Sequence, residues 1–254
     1  MAVTIKSKRE IALMREAGRI LAEVHAKLGK AIEPGMSTLD IDRLGEELIR
    51  GYGCVPNFLN YNGYPASICV SVNDEVVHGI PSAKRILQEG DIVSLDAGLI
   101  YEGYHSDAAR TYPVGQISRE AANLIKATRQ SFFEGIRYAL AGNYLYNISN
   151  AIDSYCRQFG YGVVRDLVGH GIGTSLHEEP QIPNFRQWRR GVRLKPGMTL
   201  AIEPMVNMGG YKVDWLEDGW TVVTRDGSLS AHYENTVLIT EGKPEILTLL
   251  PGKA

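Results

Sequence analysis

The sequence predicts an α+β fold built on antiparallel sheet. Helical periodicity falls in two pairs, over residues 8–30 and 38–52 and again over 118–140 and 145–159. Strand-like segments at 67–72, 91–100, 104–112, 198–206, 220–224 and 231–240 come in runs rather than alternating with single helices. No linker, charge block or low-complexity stretch interrupts the chain, so it reads as one domain over 1–254.

The first helix starts near Ser7 and sets Ile11, Met14, Gly18, Leu21 and Val24 along one face, with His25 expected to face solvent. The opening thirty residues carry no apolar signal core. The second helix follows Ile32-Glu-Pro-Gly35 and reaches Tyr52-Gly53. The fourth follows Leu140-Ala-Gly142 and reaches Phe159-Gly160. Gly35/Gly142, Ile41/Ile148 and Gly53/Gly160 all share an offset of 107 (142 minus 35 for the first pair), which reads as a duplicated half.

Residues 91–112 predict a hairpin around Tyr101-Glu102-Gly103, with the glycine ready for positive φ. A tight turn pairing Ile100 with Gly103 sets Asp96 directly opposite Asp107 on one face. Opposed buried carboxylates repel, so this register predicts a cation between them. Glu203 lies in the middle of the apolar segment MTLAIEPMV, and Glu234 within SAHYENTVLIT after an Asp226-Gly227 turn. Glutamate is rarely buried unless paired or metal-bound.

The stretch GHGIGTSLHEEP (169–180) adds His170 and His177. It is not a zinc-protease helix, because that motif needs HExxH and Pro180 breaks any helix. It is not a dinucleotide loop, because no helix opens after it. What remains is part of a metal site, with glycines flanking His170 to admit a crowded centre. One imidazole with four carboxylates suits two divalent ions. Manganese, iron, cobalt and zinc all fit that donor set.

Composition excludes several classes. The formal net charge is −2 and the isoelectric point about 6.3, which gives no chain-wide footprint for nucleic acid or an anionic membrane. No apolar run is long enough to span a bilayer. Three cysteines without a CxxC suit a reducing cytoplasm.

With these residues in view, the chain resembles the type I methionine aminopeptidases. The resemblance spans residues 3–250. It rests on VNDEVVHGIP (72–81), GDIVSLDAG (90–98), VGHGIGTSLHEEPQIP (168–183), LKPGMTLAIEPM (194–205) and DGWTVVTRDGSLSAHYENT (218–236). It implies the pita-bread fold, in which two pseudo-symmetric halves carry a central curved antiparallel sheet covered by helices. It also implies removal of the initiator methionine from nascent chains, preferably before a small second residue.

By this resemblance, Asp107 and Glu234 would bridge two metal ions. Asp96 would chelate one of them, and His170 with Glu203 would complete the other. A bridging water acidified by the ions would be the nucleophile, with Glu203 accepting its proton. His177 would polarise the scissile carbonyl, His78 would contact the scissile amide nitrogen, and the substrate's α-amine would sit at the less crowded metal. The methionine pocket would draw on Tyr61, Tyr64, Cys69 and Trp220, with Phe58 and Leu176 at its rim. A monovalent cation, Na or K, would bind through backbone near Asn73, Glu75 and Ser230. The enzyme would be a cytoplasmic monomer acting on nascent N-termini near the ribosome, with no direct nucleic-acid or membrane partner.

The chain departs from family habit at Asn62, where histidine is frequent, at Phe58, where a smaller residue is frequent, and at Leu176, where an aromatic is common. His105 and His232, two positions from Asp107 and Glu234, read as structural histidines. Two rivals stand beside this reading. One is a pita-bread peptidase cleaving before proline, which usually carries an extra N-terminal domain. The other is a non-catalytic pita-bread relative that binds peptides or proteins, which typically lacks metal ligands.

Overall fold

The computed structural model describes residues 3–250 and 252, so the outermost residues of the expected 1–254 unit lie outside the described residues. Four helices form where periodicity places them: α1 (Lys8–Ala31), α2 (Thr38–Gly51), α3 (Arg119–Ile136) and α4 (Leu145–Arg157). Their starts are set by local polar caps. Ser7 and Glu10 cap α1 reciprocally, Ser37 and Asp40 do so for α2, and the Ser118 hydroxyl accepts the Ala121 N–H on α3. On α4, Asn147 Oδ1 accepts the Tyr144 N–H at 3.1 Å.

Each helix pair covers its own sheet. Leu21, Val24, Ile41 and Ile49 pack with Ile68, Val70, Leu95 and Leu99 in one core. Phe132, Ile148 and Ile152 pack with Leu200, Ile202 and Val237 in another. Burial of such side chains contributes about 1.5–3 kcal/mol each. The α1 helix also leans on the strand Tyr104–Pro113, and this corrects the expectation for His25. That histidine is buried, with Nε2 2.8 Å from the Ala108 carbonyl oxygen, and its own carbonyl accepts the Tyr112 hydroxyl.

The duplicated-half expectation extends to individual hydrogen bonds. Gly35 N–H donates to Leu87 O and Gly142 N–H to Leu194 O. Thr38 N–H donates to Arg85 O and Leu145 N–H to Val192 O. Isolated bridges join Ser37 to Ile86 and Tyr144 to Arg193. Every member of these pairs differs from its counterpart by the same 107 residues (193 minus 86 for the last). At that spacing Asp96 corresponds to Glu203.

The hairpin register differs from expectation. Tyr101 pairs with Tyr104 across a two-residue turn in which Glu102 (φ 48°) and Gly103 (φ 83°) are both left-handed. Asp96 therefore stands opposite Ala109, and Asp107 opposite Gly98. The shift is two residues, so the side-chain alternation is preserved and both aspartates still share a face. Two expected strands also split at their acids. Thr199–Ile202 and Met205–Asn207 are separate strands in different sheets, as are Asn235–Leu238 and Ser230–His232. Pro204 cannot donate to a ladder, and Glu234 N–H turns to the Ala109 carbonyl instead. The two glutamates thus sit where the chain passes from one sheet to another.

Candidate metal centre and active site

Five side chains from both halves converge on one cavity: Asp96 and Asp107 from the hairpin, His170 from the short strand Gly169–Gly171, and Glu203 and Glu234 from the two crossing points. His170 Nε2 lies 3.7 Å from Glu203 Oε1 and 3.9 Å from Asp107 Oδ2. One donor atom each of Asp107, His170 and Glu234 falls within 4.8 Å of the others. The flanking glycines are required, since a Cβ at Gly169 would lie 2.4 Å from Ala201 O and one at Gly171 2.2 Å from Glu179 O.

The electrostatics call for cations. Asp96 Oδ1, Asp107 Oδ1 and Glu234 Oε1 are buried without a hydrogen-bond partner, which is costly for carboxylates. Desolvation first, and then the charges of neighbouring acids, push Asp107 and Glu234 well above the ordinary carboxylate range; desolvation and Asp96 do the same to Glu203. Burial raises Asp96 to about 7. Two divalent ions would relieve both penalties, so the donor set fits the expected metals. His170 is prepared for the same purpose. Its Nδ1 donates to the Gly171 carbonyl at 2.9 Å, which leaves the lone pair on Nε2, facing the carboxylates. Burial holds its pKa down to about 3, so the ring is neutral.

The acids are held from behind. The Thr236 hydroxyl accepts the Asp107 N–H at 3.1 Å and donates to the Asp107 carbonyl at 2.9 Å. Arg110 binds the carbonyls of Ala109 and Glu234, Asn235 Oδ1 and Thr248 O. Asn184 Nδ2 donates to Glu203 O at 3.1 Å.

Two further histidines face the same space. His78 adopts φ 60°, a conformation rare outside glycine, and burial lowers its pKa to about 4. His177 stands at the cavity mouth with its ring centroid 4.2 Å from that of His170. Tyr61 Oη lies 2.7 Å from His177 Nδ1.

The cavity, about 200 Å³, is also lined by Phe58, Tyr61, Tyr64, Cys69, Leu176 and Trp220. All six expected pocket residues are therefore brought together. Tyr64 meets Trp220 edge-on at 5.1 Å and donates its hydroxyl to Gly79 O at 2.9 Å. Burial raises the Cys69 thiol well above its usual value, which keeps it a neutral apolar wall.

Residues 12–241 match the family model for metallopeptidase family M24. The chain belongs to that family. It is 56% identical to a methionine aminopeptidase of Clostridium acetobutylicum over 97% of this chain and 99% of that one. A solved methionine aminopeptidase of Thermotoga maritima superposes with a TM-score of 0.96 at 44% identity, covering 98% of this chain and 100% of that one. An Xaa-Pro dipeptidase from Bacillus anthracis matches less well, with a TM-score of 0.78 at 25% identity, over 97% of this chain but 62% of the other. These likenesses bear out the resemblance to methionine aminopeptidases and the pita-bread fold; neither rival is favoured.

Within this M24 chain, two residues given no role from the sequence also border the site. Asn62 lines the cavity, in a left-handed conformation with φ 50°. His232 is buried with both ring nitrogens unpartnered, and its Nε2 lies 3.7 Å from Glu203 Oε2, so it is not the satisfied structural histidine expected. Its spacing from Glu234 was the available signal. His105 is half-buried, with Nδ1 3.4 Å from Asn57 Nδ2. Of the expected monovalent-cation residues, Asn73 and Ser230 meet through a backbone hydrogen bond from Ser230 N–H to Asn73 O, while Glu75 accepts the Val72 N–H at 2.7 Å. No helix among the described residues is long and apolar enough to cross a membrane.

Proposed function

We propose that this chain is a methionine aminopeptidase that removes the initiator methionine, preferring a small second residue. The observation that carries the reading is the convergence of four carboxylates, one metal-ready imidazole and two further histidines on a cavity with an aromatic and sulfur wall. Its volume lies below the roughly 300–1,000 Å³ of drug-sized sites, in keeping with one side chain and its peptide bond.

Asp96, Asp107, His170, Glu203 and Glu234 would together hold two divalent ions, with Asp107 and Glu234 placed between the donors from the two halves. Ions in such a set supply Lewis acidity and an acidified water. The Glu203 carboxylate takes up the proton released during attack. His177 donates to the oxygen of the scissile carbonyl, where negative charge develops. His78 contacts the scissile amide nitrogen. Tyr61, Tyr64, Cys69, Trp220, Phe58 and Leu176 enclose the methionine side chain, whose flexible thioether suits such walls. Backbone near Asn73, Glu75 and Ser230 would hold a monovalent cation, Na or K. The substrates are nascent N-termini beginning with Met, met near the ribosome in the cytoplasm by a monomeric enzyme.

The test is hydrolysis of Met-Gly-Met-Met beside the matching Leu and Xaa-Pro peptides, with metal-stripped protein and Mn²⁺, Co²⁺, Fe²⁺ or Zn²⁺ added back. Release of methionine alone, and only with metal, is the expected result. Metal-dependent cleavage of Xaa-Pro instead would move the assignment to the proline-directed relatives, and no cleavage by folded protein would favour a binding module.

A further inference from the structure

The geometry points to a single-stranded RNA contact on the loop 184–193, outside the catalytic cavity. The chain-wide charge balance hides a local one. The segment NFRQWRRGVR holds Arg186, Arg189, Arg190 and Arg193 and no acidic residue. All four arginines are exposed. Among the described residues, none of them forms an ion pair.

Trp188 stands at the tip, 92% exposed. It is the most exposed large hydrophobic side chain among the described residues. The loop is pinned, so the indole is presented rather than left loose. Asn150 Oδ1 accepts the Gln187 N–H at 2.8 Å, Arg190 O accepts the Tyr146 N–H at 3.1 Å, and Val192 O accepts the Leu145 N–H at 2.9 Å.

The first half of the chain shows that the scaffold does not need this composition. Its corresponding turn carries the same Thr38-to-Arg85 backbone bond, yet Pro81, Ser82 and Ala83 occupy the places of Trp188, Arg189 and Arg190. The aromatic and the guanidiniums are therefore additions to a turn that folds without them.

The surroundings select the partner. Beside Trp188 lies a cavity of about 410 Å³ walled by Tyr144, Tyr146, Asn147, Asn150 and Gln187. The exposed indole offers a face for base stacking beside the half-buried Tyr144 and Tyr146, arginines neutralise phosphates, and side-chain amides bond base edges. A face that enters a bilayer needs contiguous apolar area, and within 184–193 only Trp188 and Val192 are exposed large apolar side chains. An acidic peptide would match the arginines but would leave the indole and the amides without a role.

The experiment is fluorescence anisotropy of a labelled oligouridine of about 12 nucleotides, a length within the span of known single-strand sites. It is run with the intact protein and with Trp188→Ala and Arg189→Ala/Arg190→Ala at low and moderate salt. The expected result is saturable binding that weakens with salt and is weakened about tenfold or more by either variant. Circular dichroism and Met-Gly-Met-Met hydrolysis should be unchanged in both. Absence of binding by the intact protein, or equal binding by the variants, overturns the proposal. So does the finding that vesicles of anionic phospholipid capture the protein through Trp188 while the oligonucleotide does not bind.

Discussion

Tyr61 and His177, separated by 116 residues, meet at 2.7 Å through Oη and Nδ1. Burial raises the pKa of Tyr61, so the phenol keeps its proton at neutral pH. If His177 carries its proton on Nε2 to meet the scissile carbonyl, its Nδ1 is the acceptor and the Tyr61 hydroxyl is the donor at this contact. The Tyr61→Phe enzyme keeps the ring and loses this control of the tautomer. Its kcat should fall about tenfold, short of the roughly 10²–10³ lost with a whole oxyanion donor. KM for Met-Gly-Met-Met should stay nearly constant. A rise in KM with unchanged kcat would show that Tyr61 only packs against substrate.

Removing a carboxylate proposed to hold metal should act on metal before it acts on fold. Glu234→Gln is expected to retain less than the two equivalents of metal per chain assigned to the intact enzyme, measured by elemental analysis, and to lose most hydrolysis. Its circular dichroism should match the parent.

Metal should also stabilise the folded chain, because three carboxylate oxygens at the centre lack partners without it. Adding back Mn²⁺ or Co²⁺ at about 100 times Kd contributes about 2.7 kcal/mol if only the folded state binds. A thermal melt with and without metal measures this. An unchanged Tm would contradict the assignment of a buried ion site.

His25 gives a pH dependence with a definite sign. Burial, then the Arg110 charge, lower its folded pKa from 6.5 to about 3. The unfolded state therefore binds the extra proton, so this contribution is complete above pH 6.5 and is lost as pH falls from 6.5 toward 3. The slope is about 1.4 kcal/mol per pH unit. Other acids and histidines titrate in the same window, so the informative quantity is the difference from His25→Gln. Urea midpoints at pH 7, 6, 5 and 4 should fall less steeply in the variant. Parallel slopes would mean that His25 is protonated in the fold.

Phe58 is 8% exposed at the cavity rim. Phe58→Ala should widen the methionine pocket and raise the ratio of Leu to Met cleavage, read as kcat/KM, by about tenfold, within the range of one pocket contact. An unchanged ratio would place side-chain selection elsewhere in the wall.

Much of the site was legible because its chemistry conflicts with its setting. Carboxylates amid apolar runs and a histidine between glycines are conspicuous, and Asp96, Asp107, His170, Glu203 and Glu234 do converge. The hairpin register was off by two residues because turn length depends on whether Tyr101 belongs to the strand, and nothing in Tyr-Glu-Gly decides that. The alternation survived the error, so both aspartates stayed on one face. The breaks at Glu203-Pro204 and Tyr233-Glu234 were hidden by apolar residues on either side, which suit a strand equally well when the chain changes sheets. His25 was misplaced because α1 buries a wider arc than its apolar stripe suggests.

The 107-residue spacing has a consequence for donor chemistry. A symmetric pair of identical halves would present the same carboxylate twice. In this single chain the corresponding positions are Asp96 and Glu203, whose side chains differ by one methylene. His170 pairs with Ala201, whose first-half counterpart Ser94 pairs with Ser71, so a serine and not an imidazole stands at the equivalent place. Covalent fusion thus allows the two flanks of one cavity to become chemically unequal: a nitrogen donor and a longer-reaching carboxylate on one flank, a short carboxylate on the other. A true two-fold dimer could not make that distinction without breaking its own symmetry.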